Sequence, residues 1–261
     1  MDAGGGGTKP ARPVPYQPDG YIDHLDSTRA TRSCCGSTSR TRARWPAARR
    51  TGKSTVTNLL ARRYGVTVYH HDYHNARGHW DRRVAASGGT LPPVTAEGMF
   101  VTSTPEQSAA SAIETLIQSF EFILDDLRAL VSGWPIIAEG WGLRPGLVAP
   151  ILPTTQQMLV MVPTDEFRRH QSRTLERAMA PGMPVSDLEL AQRNRLERDR
   201  LVAVDAVDQA RGLGIRVIEV DGSVDADGVA DIVADHFAPF LPVPLPDRDP
   251  AEGTFESRLS G

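Results

Sequence analysis

Four consecutive residues have the types and spacing of the end of a phosphate-binding loop: Gly52, Lys53, Ser54 and Thr55. In such a loop, backbone N–H groups at a helix N-terminus bind phosphate oxygens, the lysine reaches the terminal phosphates, and the hydroxyl after it holds Mg²⁺. The run that follows is typical of a helix, 54–64, and then of a short apolar strand, 66–69. The sequence therefore predicts a phosphate site at the start of this helix, to which Gly52 and Thr55 add contacts.

The residues before this motif do not fit it. A complete loop has glycine at position 47, where this chain has Ala47, and small residues where it has Arg49 and Arg50. The segment 28–50 is rich in arginine and serine and lacks the apolar run of a buried strand. Two explanations are open: the loop is divergent, or a frameshift has replaced the original segment.

The frameshift hypothesis follows from the genetic code. If the DNA is read one nucleotide earlier, Trp45-Pro46 becomes Ala, and codons for glycine become available over 46–48 and again just before Lys53. The shifted frame thus permits Ala-Gly-Gly-Pro-x-x-Gly-Lys-Ser-Thr, which is a complete phosphate-binding loop, without requiring it. The sequence of the gene around codons 28 to 51 decides between the two explanations.

Acidic residues follow three of the predicted strands. Asp72 comes after the strand 66–69, Glu139 ends an apolar run at 134–139, and Asp221-Gly222 follows the strand 215–220. Ligands of open α/β sheets bind beyond the carboxyl ends of the strands, and a lone buried carboxylate is costly without a partner. Glu139 is therefore a candidate Mg²⁺ ligand, whereas Asp72 and Asp221 either act in the site or form ordinary turns.

Composition excludes several classes of protein. The chain has 261 residues, a formal net charge of -3, and only two cysteines, Cys34 and Cys35. No apolar run approaches the roughly 20 residues that a membrane helix needs. The arginines of 168–200 alternate with acids, which argues against nucleic-acid binding. We expect a cytoplasmic protein without a membrane or nucleic-acid partner, and its oligomeric state stays open.

A histidine cluster at 70–79 allows two interpretations. His70, His71, His74 and His79 invite a metal site, but no carboxylate and histidine pair has helical ligand spacing. We favour surface or substrate-side histidines over a metal site.

Strands alternate with helices along most of the chain, which predicts an α/β fold with a parallel sheet of about five strands and helices on both faces. One of the five strands should precede Lys53. A capping signal at 104–107 opens a long helix, and 75–103 is predicted to be a loop-rich excursion. We expect a disordered arm at 1–27, one domain at 28–240 and a proline-rich tail at 241–261.

These features together resemble the P-loop small-molecule kinases, which include the nucleoside monophosphate, shikimate and gluconate kinases and the chloramphenicol phosphotransferase-like proteins. The resemblance covers 45–240. It rests on the motif at 52–55, Asp72, the strand ending at Glu139-Gly140, the arginine-rich segment 168–200, and the strand ending at 220–223.

The resemblance implies the three-layer sandwich of P-loop NTPases and phosphoryl transfer from ATP to a small-molecule acceptor, with Mg²⁺ as cofactor. Lys53 would then contact the β- and γ-phosphates, Ser54 and Glu139 would hold Mg²⁺, and Asp72 would orient or deprotonate the acceptor hydroxyl. Arg173 and Arg177 would close over the phosphates, and Asp221 and Gly222 would lie near adenine. The alternative is a nucleotide-binding or vestigial protein without turnover, acting in regulation or interaction.

Overall fold

The computed structural model describes residues 52–91, 94–174 and 184–246. The α-helices are α1 (Lys53–Tyr64), α2 (His71–His74), α3 (Trp80–Ala86), α4 (Pro105–Gln118), α5 (Phe120–Ala129), α6 (Pro145–Val148), α7 (Asp165–Thr174), α8 (Leu188–Gly212) and α9 (Ala226–Phe237). The strands are β1 (Thr67–His70), β2 (Ile136–Glu139), β3 (Leu159–Pro163) and β4 (Arg216–Val220). The segments Asn75–His79 and Gly98–Thr102 are π-helical, and Ala149–Ile151 and Thr155–Gln157 are 3₁₀ turns.

Helix α1 begins within the motif at 52–55, as the sequence predicts. Gly52 is its N-cap in an extended conformation, and Gly65 ends it in the left-handed conformation at φ 68°. The N–H of Gly65 donates to the carbonyl of Ala61, which satisfies one of the last carbonyls of the helix. Val56 and Leu60 are buried on one face of α1, so packing fixes the orientation of its first turn.

The predicted fold class is wrong. The structure describes four short strands in two separate parallel pairs, β1 with β2 and β3 with β4, rather than one sheet of about five strands between two helical layers. Most of the described residues are helical. The strand expected before Lys53 falls outside the described residues.

The reason for this error is that alternation of strands and helices does not specify which strands pair. A crossover helix makes parallel pairing of its flanking strands favourable, but each pairing depends on tertiary contacts. Here Thr67 pairs with Ile136 and Leu159 pairs with Arg216 in register, while β2 and β3 are not hydrogen-bonded to each other.

A shared apolar cluster connects the two strand pairs. Its buried members come from α1, α7, α9 and the end of β4, and they include Val56, Leu60, Phe167 and Val233. Ile137 of β2 and Leu159 of β3 both pack against this cluster. Each strand pair also packs against a second apolar cluster. Phe120 and Ile123 of α5 pack beside β1 and β2, and Val207 and Ala210 of α8 pack beside β3 and β4. Helix α1 is thus held by both pairs.

Two other predictions of local structure need correction. The excursion at 75–103 contains helical segments as well as loops, namely the π-helical turns Asn75–His79 and Gly98–Thr102 and the helix α3. The long helix opened at Thr104 is two helices, since α4 ends at Gln118 and α5 begins at Phe120 around the buried Ser119.

The chain ends of the predicted domain are described only in part. The arm at 1–27 and the atypical segment 28–50 lie outside the described residues. The first part of the proline-rich tail is described, and the N–H of Leu245 donates to the carbonyl of Arg63 at 2.7 Å. Within the ranges that the structure describes, none of the helices has the length and hydrophobicity needed to cross a membrane.

The cap of α4 generates a stability prediction. Thr104 accepts from the N–H of Gln107, and the Gln107 side chain accepts from the N–H of Thr104, a complete capping box. We expect Thr104→Ala to lower the free energy of unfolding by about 1 kcal/mol, as measured by urea denaturation. The control is Thr90→Ala at an exposed threonine; equal midpoints for the two variants would contradict the prediction.

Candidate functional site

The N-terminus of α1 meets the carboxyl end of β2 through one hydrogen bond. The hydroxyl Oγ of Ser54 donates to Oε1 of Glu139 at 2.8 Å. Ser54 is the second residue of α1, and Glu139 is the last residue of β2. Their contact brings together the hydroxyl and the carboxylate that the sequence assigned to one Mg²⁺ site.

The two oxygens of the Glu139 carboxylate have different surroundings. The side chain is only 7% exposed, and Oε1 accepts from Ser54 and also lies 2.6 Å from Nδ1 of His70. Oε2 is buried and has no hydrogen-bond partner among the described residues. A buried carboxylate oxygen without a partner is costly, so Oε2 is suited to a cation or to a water bound to one.

The donor set fits Mg²⁺ rather than a metal held entirely by protein. Mg²⁺ binds through one or two protein oxygens together with water and phosphate. Because Ser54 donates its proton to Glu139, the lone pairs of its oxygen stay available to a cation. No group of three or more His, Cys, Asp or Glu side chains in the described ranges could hold a metal, which also leaves the histidine metal site without support.

Lys53 lies beside this hydroxyl as the first residue of α1. Its ammonium Nζ is 4.6 Å from the centroid of the Trp141 ring, a cation–π contact. The N-cap Gly52 has no side chain that could accept from the first N–H groups of the helix. The N–H of Thr55 donates to the carbonyl of Gly52 at 3.0 Å, whereas the N–H groups of Lys53 and Ser54 have no partner among the described residues and suit an anion. The positive end of α1 and the lysine together favour a phosphate group.

Asp72 lies in α2, directly after β1, with a half-exposed carboxylate. Its Oδ1 accepts from the N–H of Trp141 at 3.2 Å and lies 3.2 Å from Nδ1 of His71. Burial acts to raise the pKa of Asp72, but the hydrogen bond to His71 and the charge of Lys53 outweigh it, so the pKa lies below its ordinary value. Asp72 is therefore an ionised acceptor at neutral pH.

The loop after β2 connects Asp72 to Lys53 and depends on two glycines. Gly140 has φ 134°, and a Cβ there would lie 2.7 Å from Cβ of His71. A Cβ on Gly142 would lie 2.5 Å from Nε2 of His71. The N–H of Gly142 also lies within 3.2 Å of Nδ1 of His71. The loop can approach α2 this closely only because both positions are glycines. Trp141, which lies between the two glycines in sequence, contacts the side chains of Lys53 and Asp72.

A second network of polar side chains centres on Asp126 of α5. Its Oδ2 accepts from Tyr69 at 3.1 Å and from Nε2 of His79 at 2.8 Å, and lies 3.2 Å from Nδ1 of His74. Its Oδ1 accepts from Arg82 at 2.8 Å. Burial opposes ionisation of Asp126, yet the hydrogen bonds from His79 and Tyr69 lower its pKa. This network attaches α2 and α3 to α5 and so supports the segment that carries Asp72.

The histidines do not share one environment. His71 and His79 are fully buried, which contradicts the expectation of surface or substrate-side positions for these two. His74 is about half exposed and stacks on Tyr69 with ring centroids 4.6 Å apart. His70 is the histidine that contacts Glu139.

The other predicted site residues lie apart from these contacts or outside the description. Asp221 accepts from the N–H and hydroxyl of Ser223 at 2.8 and 2.6 Å, and Gly222 packs against the ring of Phe167. These are the contacts of a turn, and a role near adenine stays a prediction. Arg173 is exposed near the end of α7, and Arg177 lies outside the described residues.

The arginine-rich segment is largely structural where it is described. Arg195 and Arg198 of α8 are buried, and Arg198 lies over the ring of Phe100 at 5.1 Å. Arg200 donates to Glu197 on the same helix. Arg144, in the loop after β2, is 2% exposed and donates to Asp205 of α8, so it fastens this loop to α8.

Three contacts that shape the site were not predicted from the sequence. Trp141 and Asp126 belong to no recognised motif, and His70 was singled out only within the histidine cluster, not as a partner of Glu139. The strand-end position of His70 next to a predicted carboxylate was the one signal that could have found it, since residues at equivalent ends of neighbouring parallel strands lie side by side. Asp126 was hidden in an apolar helical pattern.

Burial of His79 generates a pH prediction. Burial lowers the pKa of His74 and His79 more than Asp126 raises it. The unfolded chain therefore binds more protons than the folded one, so the free energy of unfolding is largest above the unfolded pKa of about 6.5 and falls as the pH drops below it. We expect His79→Gln, whose amide can donate to Asp126 without titrating, to weaken this dependence.

The measurement is the urea midpoint at about pH 7.5 and about pH 5.5. The difference between the two midpoints should be smaller in His79→Gln than in the unmodified chain. His170→Gln, at an exposed position of α7, is the matched control and should leave the difference unchanged. An unchanged difference in His79→Gln would contradict the assignment.

Comparison with models of protein families and with curated proteins finds no match to this chain.

Proposed function

We propose that this chain binds Mg-ATP at the N-terminus of α1 and transfers the γ-phosphoryl group to a small-molecule hydroxyl or phosphate acceptor near Asp72. An enzyme that uses ATP in this way is expected in the cytoplasm. The proposal concerns the site and its chemistry, and it does not depend on a five-stranded sheet.

The observation that carries the proposal is the contact between Ser54 and Glu139. Two residues that are 85 positions apart meet at 2.8 Å, at the start of a 12-residue helix and the end of a strand. The buried Oε2 of Glu139 beside them has no partner among the described residues. A helix N-terminus favours an anion and the orphan oxygen favours a cation, so the pair suits a metal-bound phosphate.

Each residue has a part in binding and orientation. The N–H groups of Lys53 and Ser54, together with Nζ of Lys53, would bind the β- and γ-phosphates, for which the Lys53 side chain must leave the Trp141 ring. Ser54 Oγ and Glu139 Oε2 would hold Mg²⁺, directly or through water. When bound, Mg²⁺ neutralises charge that develops on the β- and γ-phosphate oxygens.

Asp72 would orient the acceptor. The acceptor oxygen forms a bond to the γ-phosphorus, the bond to the bridging oxygen of ADP breaks, and the acceptor proton passes to Asp72 or to solvent. Since the pKa of Asp72 lies below its ordinary value, the carboxylate is a weak base. Phosphoryl transfer needs positioning more than a strong base, so an ionised acceptor that aims the hydroxyl is sufficient.

The test of nucleotide binding is Lys53→Ala. Losing a charge-assisted hydrogen bond to phosphate should weaken Mg-ATP binding roughly 10- to 100-fold, as measured by isothermal titration calorimetry. The matched control is Arg62→Ala, which removes a positive charge at an exposed position of the same helix and should leave affinity within about twofold. Equal affinities for Lys53→Ala and the unmodified chain would exclude this site.

The test of turnover is Asp72→Asn. ADP release from Mg-ATP is measured against a panel of small hydroxyl- and phosphate-bearing compounds, and with an acceptor that is turned over we expect kcat to fall about 100-fold or more. Nucleotide affinity should not fall, because Asp72 does not contact the phosphates in this scheme and loss of its negative charge leaves the charge of Lys53 less neutralised. The control is Asp81→Asn at an exposed position of α3.

Three outcomes separate the proposal from its alternative. Acceptor-dependent ADP release supports a kinase. Tight nucleotide binding without any acceptor-dependent release contradicts a kinase and supports the alternative in its nucleotide-binding form. Absence of Mg-ATP binding by the unmodified chain also contradicts a kinase and supports the alternative in its vestigial form.

A further inference from the structure

We propose that His70 is a positioning residue for the cation site: its Nδ1–H holds Oε1 of Glu139, so that Oε2 of the same carboxylate is presented to the metal. This inference rests on the proposed function, because it assigns a role in the binding of Mg-nucleotide. It concerns a residue to which no motif gives a role.

The strand register places His70 beside Glu139. His70 and Glu139 are paired residues at the carboxyl ends of β1 and β2. Paired residues of adjacent parallel strands project their side chains to the same face of the sheet. The backbone therefore places the imidazole beside the carboxylate, and Nδ1 lies 2.6 Å from Oε1.

The direction of the hydrogen bond follows from the charge of the carboxylate. An ionised carboxylate has no proton and can only accept, so the proton of this contact is on Nδ1. His70 is 22% exposed and Glu139 is 7% exposed, so the contact is shielded from bulk water. A short, shielded hydrogen bond to a charged acceptor is among the stronger ones in proteins.

The two oxygens of the Glu139 carboxylate differ in their hydrogen bonds. Oε1 receives two donors, the imidazole of His70 and the hydroxyl of Ser54. Oε2 receives none among the described residues. Two donors on one oxygen fix the rotation of the carboxylate about its last bond. The other oxygen is then left as a buried acceptor that a cation, a water bound to one or a donor from a bound ligand can satisfy.

Loss of the imidazole should therefore lower the affinity for the metal and leave the affinity for the metal-free nucleotide unchanged. Without the Nδ1 donor, the carboxylate can rotate, and either oxygen can bond to Ser54. Residues that orient a ligating carboxylate typically change metal affinity by about 10- to 100-fold when removed. Contacts of Lys53 and of the α1 N-terminus with phosphate do not involve His70 and should persist.

The experiment compares three substitutions at one position. In His70→Asn, Nδ2 occupies nearly the place of the imidazole Nδ1 and keeps a donor there; in His70→Gln, the donor lies one bond farther out; in His70→Leu, there is none. His170→Leu on the exposed face of α7 is the control for loss of a histidine. Circular dichroism and urea denaturation verify that each variant is folded.

The readout is the ratio of ATP affinity in Mg²⁺ to ATP affinity in a chelator, which isolates the contribution of the metal. We expect His70→Leu and His70→Gln to lose about 10-fold or more of this ratio with unchanged affinity in the chelator, and His70→Asn to retain most of it. A ratio in His70→Leu equal to that of the unmodified chain overturns the inference and leaves the proposed function intact. A loss of affinity in the chelator as large as the loss in Mg²⁺ also overturns it, because it indicates a general structural role.

A second measurement is independent of turnover and of the metal. Nitrogen-15 spectra of the histidine rings, assigned by difference with His70→Asn, should show the Nδ1–H tautomer for His70 in the ligand-free chain. An Nε2–H tautomer with a bare Nδ1 overturns the inference. If the unmodified chain binds no nucleotide in any buffer, both the proposed function and the inference are wrong. This outcome differs from failure of the inference alone, because it is already visible in the unmodified chain.

Discussion

The hydrogen bond between Ser54 and Glu139 is the contact on which the candidate site depends. It joins the first turn of α1 to the end of β2, and it forms only if the helix and the strand pair are fixed relative to each other. The apolar cluster of Val56, Leu60 and their neighbours supplies that fixation, since Ile137 of β2 packs against the same cluster. Burial of apolar surface thereby determines the distance between two polar groups that are remote in sequence.

The loop after β2 extends this arrangement to the acceptor side. Trp141 contacts Lys53 with its ring and Asp72 with its backbone N–H, so one residue touches both halves of the proposed reaction centre. The two glycines beside Trp141 allow the loop to lie against His71, and Arg144 anchors its far end to α8. A change at Lys53 would therefore reach Asp72 through a continuous set of contacts and through the charge that lowers the pKa of Asp72.

The network around Asp126 has a supporting function. Four side chains from β1, α2, α3 and the π-helical turn between these helices converge on one carboxylate of α5. Tyr69 also fills the apolar cluster beside Phe120 and Ile123, so polar and apolar contacts hold the same segment. The hydrogen bonds to the ionised Asp126 thus help to fix the segment that carries Asp72, although they only partly offset the burial of His74 and His79.

The sequence alone determined the local features that depend on short-range chemistry. It located α1 from the motif at 52–55 and the glycine that ends the helix, the capping box of α4 from Thr104 and Gln107, and an acidic residue at the end of β2. These features follow from backbone hydrogen bonding and side-chain conformation within a few residues. Tertiary structure alone decided which strands pair, that His70 meets Glu139, and that His71 and His79 are buried. Such facts arise from packing between segments far apart in the chain, and no local pattern specifies which segments will meet.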